Sequence, residues 1–107
     1  MTRPASPELK LSEAAFQQRV IDWAHVRHWH VWHARPAHTQ TGWCTPGQGD
    51  SGLPDLILAR HGTVLLAELK TDKGRATREQ LGWLTAAGPH GYLWRPVDWP
   101  AVVDVLM

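Results

Sequence analysis

Gly49-Asp50-Ser51-Gly52-Leu53-Pro54-Asp55-Leu56-Ile57-Leu58-Ala59-Arg60-His61-Gly62-Thr63-Val64-Leu65-Leu66-Ala67-Glu68-Leu69-Lys70 is the stretch whose reading decides the fold. Two short apolar runs rich in branched residues flank a His-Gly step, which is a β-hairpin signal because two-residue turns need positive φ. With His61-Gly62 as the turn, Arg60 faces Thr63, and stepping back along both strands sets Asp55 opposite Glu68. Side chains alternate faces, so the two carboxylates share one face with Cβ atoms about 5 Å apart, and Lys70 lies on the same face. Like charges directly opposed in a sheet are destabilising. A charge ladder on a solvated strand is the simplest alternative, but the neighbours Leu56, Ile57, Leu58, Leu65, Leu66 and Ala67 are apolar on both faces and imply a buried hairpin. A hard divalent cation between the acids, Mg²⁺ above all, answers the repulsion, since carboxylate oxygens are its usual ligands.

The rest of the chain bounds what surrounds this hairpin. At 107 residues it makes one domain with one modest core. The net charge of +1 gives no global basic field, so any nucleic-acid contact has to rest on local clusters. Cys44 is the only cysteine, which excludes an intrachain disulfide and suits a reducing cytoplasm. No apolar run reaches the length of a membrane span and no signal peptide is visible. The seven tryptophans are many for this length; some belong to the core and others to a binding face or dimer interface.

Residues 1–11, with Pro4 and Pro7, read as a loose arm, and 12–107 as the single domain. Ser12 is a good N-cap, Glu13 suits the helix dipole, and Phe16, Val20, Trp23 and Ala24 form a helical stripe to about Val26. Trp29 to Arg35 alternates and suits a first strand ending at Pro36. Residues 36–52 read as an irregular loop, with Trp43 either stacking on a ligand or anchoring the loop. Thr77-Arg78-Glu79-Gln80 has the form of a capping box, so a helix starts there with Leu81, Leu84 and Ala87 as its buried stripe, and Gly88-Pro89 stops it. Tyr92 to Arg95 reads as a last strand, joined parallel through the helix. A closing helix from Asp98 or Trp99 carries Val102, Val103 and Leu106, with Pro100 allowed in its first turn.

Pro54-Asp55, twelve intervening residues, then Glu68-Leu69-Lys70 resembles the PD-(D/E)XK nuclease signature. The wider context, from Gly49 to Leu56, Ala67 to Thr71, Gly74-Arg75, Glu79-Gln80 and Trp94-Arg95-Pro96, is similar to the VRR-NUC branch of that superfamily, in its short stand-alone form from bacteria and phages. The resemblance implies an α/β fold with a restriction-endonuclease-like αβββαβ core, its mixed central sheet flanked by helices. It implies a Mg²⁺- or Mn²⁺-dependent endodeoxyribonuclease, similar in action to Holliday-junction resolvases and working as a homodimer on branched or four-way DNA. Asp55, Glu68, the Leu69 carbonyl and Glu13 are the metal ligands that match, with Lys70 placed to position the nucleophile or counter the developing charge. Gln80 matches a residue facing the active site, although its capping role is already sufficient and the two roles compete.

Beside such a site, Lys73, Arg75 and Arg78 read as phosphate contacts rather than solvated charges. Ser51 and Gly52 read as loop groups that let the backbone approach a phosphate, or as turn formers. His33 and Arg35, at a strand end, contact a phosphate or face water. Two rival readings remain: a non-catalytic DNA-binding module on the same fold, and a zinc-binding structural protein using the histidines from His25 to His33 with Cys44. The first has to explain why Asp55, Glu68 and Lys70 are all present. The second needs His25, His28, His30 and His33 to converge from a helix end and both faces of a strand.

Overall fold

The His61-Gly62 turn closes as its residue types require: both residues have positive φ, 49° and 82°, the mark of a type I′ hairpin. The computed structural model describes residues 11–34, 37–39, 42–44 and 47–107. Its elements in chain order are α1 (Glu13–Val26), β1 (His30–His33), β2 (Ala37–Thr39), β3 (Gly42–Cys44), β4 (Leu56–Arg60), β5 (Thr63–Leu69), α2 (Arg78–Ala87), β6 (Gly91–Trp94) and α3 (Trp99–Leu106), with short 3₁₀ turns at Gly88–His90 and Pro96–Asp98. The result is an α/β fold: three helices and a mixed four-stranded sheet in the order β1-β4-β5-β6, with β5 and β6 parallel and the other neighbours antiparallel.

The sheet has two unlike faces. Leu56, Leu58, Leu65, Ala67, Leu69 and Trp94 point to one side and pack with Phe16, Val20, Ile21 and Ala24 of α1 and Val102 and Leu106 of α3. Trp29 joins them, its indole N–H donating to the Leu106 carbonyl at 2.9 Å. Arg60, at the far end of β4, lies 4.3 Å over the Trp29 ring and donates to the carbonyls of Arg27 and Leu106. One guanidinium thus satisfies orphan acceptors at the ends of both helices. The opposite face carries Glu68 and is covered by α2, whose Gln80 reaches that carboxylate. No helix among the described residues is long and apolar enough to cross a membrane.

Several expectations need adjusting. Leu11 packs against the core, so the folded part begins one residue earlier than the predicted arm boundary; residues 1–10 lie outside the described residues. The first strand is shorter than expected, because His28 takes φ 68° after α1 and turns Trp29 into the core before the strand begins. Arg35 lies outside the described residues. The expected irregular loop contains a separate two-stranded ribbon, β2 with β3; the side chains of Trp43 and Cys44 lie outside the described residues. In α2 the inward face is rotated from the expected one: Leu81 is 46% exposed, and Gln80, Trp83, Leu84 and Ala87 are the half-buried positions. That helix meets a polar row and a loop rather than the apolar core, so a glutamine and an indole face inward.

Candidate metal centre

The ladder of β4 with β5 runs from Arg60↔Thr63 to Leu56↔Ala67, and its continuation sets Asp55 against Glu68. Alternate pairs from a two-residue turn are the hydrogen-bonded ones, so the next such pair would be Pro54 with Leu69. Pro54 has no N–H to give, and the ladder stops there. The carboxylates replace it: Asp55 Oδ2 accepts from the Leu69 N–H at 2.9 Å, and Glu68 Oε1 accepts from the Asp55 N–H at 3.2 Å. The Leu69 carbonyl is left facing a proline. Ala34, just past β1, donates its N–H to the Asp55 carbonyl at 3.2 Å and holds that residue from the other side.

Glu68 is 1% exposed. Its Oε2 accepts from the Gln80 side-chain amide at 2.9 Å and stands 3.3 Å from the Lys70 ammonium. Burial pushes its pKa up from 4.5 to about 7; the Asp55 charge adds to the rise and Lys70 opposes it. Glu13, exposed in the first turn of α1, completes the group: carboxylate oxygens of Glu13, Asp55 and Glu68 lie within 4.8 Å of one another. Two oxygens on opposite sides of a Mg²⁺ stand about 4.2 Å apart, so small side-chain movements suffice to fit this set around such an ion. Glu13, Asp55 and Gln80 line a cleft of about 690 Å³ whose far wall is the loop from Gly47 to Leu53.

The two roles weighed for Gln80 do not compete. Its Oε1 accepts from the Thr77 N–H at 2.8 Å to close the capping box, while Nε2 donates to Glu68. The close backbone approach expected at Gly52 is made, but to α2: a Cβ there would stand 2.5 Å from the Glu79 carbonyl carbon. Ser51 likewise uses its carbonyl, which accepts from the Trp83 indole at 3.0 Å. Both residues still line the cleft. Trp83 is a site-shaping residue that the sequence reading missed; its place three residues after Gln80, on the inward side of α2, was the available signal.

Lys73, Arg75 and Arg78 are exposed, on the turn after Lys70 and at the start of α2, and are not part of the cleft wall. His33 departs from its predicted role. It pairs with Leu56 and so points to the core side of the sheet, away from Asp55 and Glu68, with a buried Nδ1 that has no partner among the described residues. The histidines do not converge: His25 is exposed on α1, His28 sits in the left-handed turn, and His30 and His33 pair with Ala59 and Leu56. Among the described residues the metal-compatible group is the three carboxylates, so the zinc reading has no geometric support. No family model, curated protein or solved structure matches the chain.

Proposed function

We propose that this protein is a metal-dependent endonuclease of the restriction-endonuclease-like, VRR-NUC type, hydrolysing phosphodiesters in branched DNA. The observation that carries the reading is the group of three carboxylates within 4.8 Å with an ammonium 3.3 Å from the buried one. Isolated acidic clusters are common on surfaces, but burial and Asp55 push the Glu68 carboxyl up to about 7 even with Lys70 beside it, so a further cation would relieve the site. Glu13, Asp55, Glu68 and the Leu69 carbonyl would hold Mg²⁺ or Mn²⁺, which supplies a bound water of lowered pKa and positive charge at the reacting phosphate. The chain's own groups do the rest. The Asp55 N–H and the Gln80 amide fix the Glu68 carboxylate from both oxygens. Lys70, 17% exposed in its side chain, donates to the attacking water or to a phosphate oxygen and counters charge growing there in the in-line displacement.

Paired cuts across a four-way junction need two such sites, and one domain supplies one, so the active form is a homodimer. A bacterial or phage-infected cytoplasm is its setting. The test incubates labelled four-way junctions, flaps and linear duplexes with Mg²⁺ or Mn²⁺. Wild type should cleave a branched substrate, and Lys70→Ala should cut about 100- to 1,000-fold more slowly with DNA binding retained. Binding without cleavage would support the non-catalytic module instead, and cleavage untouched by the substitution would remove Lys70 from the mechanism.

A further inference from the structure

Arg95 has no part in the chemistry above, yet it makes the shortest side-chain hydrogen bonds near it. β5 ends at Leu69, and the next N–H, that of Lys70, donates to the Trp94 carbonyl at 3.0 Å. One residue on, the Arg95 side chain turns back under the segment that follows Lys70. Its Nη1 donates to the carbonyls of Thr71 and Gly74, each at 2.6 Å. Thr71 closes the same turn, its hydroxyl accepting from the Gly74 N–H at 3.1 Å. The Arg95 backbone is fixed in turn, donating its N–H to Asp98 Oδ2 at 2.9 Å. Among the described residues the Arg95 guanidinium forms no ion pair, and its bonds beside the site go to the two turn carbonyls.

The turn it braces carries Lys73 and leads into Arg75, both exposed. We propose that Arg95 is a positioning residue for a phosphate-binding surface: it holds turn 71–74 rigid so that Lys73 and Arg75 meet a nucleic-acid backbone as a preformed pair of cations. The inference rests on the nuclease reading and gives that site its backbone contact. Without this brace, ordering the turn costs more than its phosphate contacts return, so the contacts are not made. Arginine suits the task because the two N–H groups of Nη1 are fixed in the guanidinium plane, one for each carbonyl, whereas a lysine ammonium on a flexible stem does not hold its donors in place.

The experiment measures binding of a fluorescent four-way junction by anisotropy in Ca²⁺ across a salt series. It compares wild type, Arg95→Gln, Arg95→Lys, Lys73→Ala, Arg75→Ala and the doubles with Arg95→Gln. Arg95→Gln should weaken binding about tenfold and lower the slope of log affinity against log salt by one to two, the loss of about two phosphate contacts. Lys73→Ala and Arg75→Ala should lose most of their own effect in that background, and Arg95→Lys should not rescue. Mn²⁺ affinity measured by calorimetry should stay at the wild-type value. Additive effects, rescue by lysine, or loss of the Mn²⁺ site would each overturn the proposal while leaving the nuclease reading in place. Wild type that binds no DNA would overturn that reading and this one together.

Discussion

Gly52→Ala should cost roughly 3–5 kcal/mol of stability, a penalty reserved for strained and overpacked sites. Gly52 has φ +91°, where a side chain is strained, and an added Cβ would lie 2.5 Å from the Glu79 carbonyl carbon and 2.7 Å from the Gln80 nitrogen. Those are backbone atoms in the first turn of α2, so relief requires moving the helix or the loop. Either movement pulls Gln80 from Glu68 or Ser51 from Trp83, and metal affinity should fall along with stability. Gly82→Ala is the internal control: nothing lies within 4 Å of its added Cβ, and alanine in an exposed helix should stabilise by about 0.5–1 kcal/mol. Urea melts of both variants decide it; a Gly52→Ala midpoint equal to wild type would mean that the loop does not rest on α2.

Glu68→Gln should lower Mg²⁺-dependent cleavage on the order of 10³-fold, since removing a ligand charge forfeits several kcal/mol of transition-state stabilisation. Its effect on the metal-free protein should be of the opposite kind. The Glu68 pKa is raised to about 7 from an ordinary 4.5, so the folded state holds a proton that the unfolded state releases. The associated stability is fully present below the unfolded value and is lost as pH rises through about 7, roughly 3 kcal/mol across that window. Glu68→Gln lacks this dependence. In EDTA, wild type should therefore lose stability relative to the variant between pH 5 and pH 8, and the variant should melt no lower than wild type at pH 8. Metal binding runs the other way: wild-type affinity should fall about tenfold for each pH unit below 7, because the ligand has to be deprotonated. Melting curves with parallel pH dependence would show that Glu68 is ionised in the folded protein throughout.

What was legible in the sequence follows from how local each determinant is. The facing of Asp55 and Glu68 was readable because a two-residue turn at His61-Gly62 leaves no freedom of register, and a single parity count then places every pair. The capping box of α2 was readable for the same reason, being closed within four residues. What Gln80 does with its second end was not, since an amide offers an acceptor and a donor and only the tertiary structure shows both in use. The contacts of Ser51 with Trp83 and of Gly52 with Glu79 join segments about 30 residues apart, and no short pattern encodes such an approach. The β2–β3 ribbon was missed because strands of three residues are too short to show alternation against a background of Gly, Pro and Thr. Leu81 was misplaced because hydrophobicity marks the inward face only where the helix meets an apolar core; α2 meets a carboxylate.

Anomalous scattering from a crystal soaked in Mn²⁺ tests the central claim most directly. The account predicts a peak between the carboxylates of Glu13, Asp55 and Glu68, in contact with the Leu69 carbonyl, that disappears in Glu68→Gln. Density at the histidines, or an empty carboxylate group at saturating Mn²⁺, would contradict it.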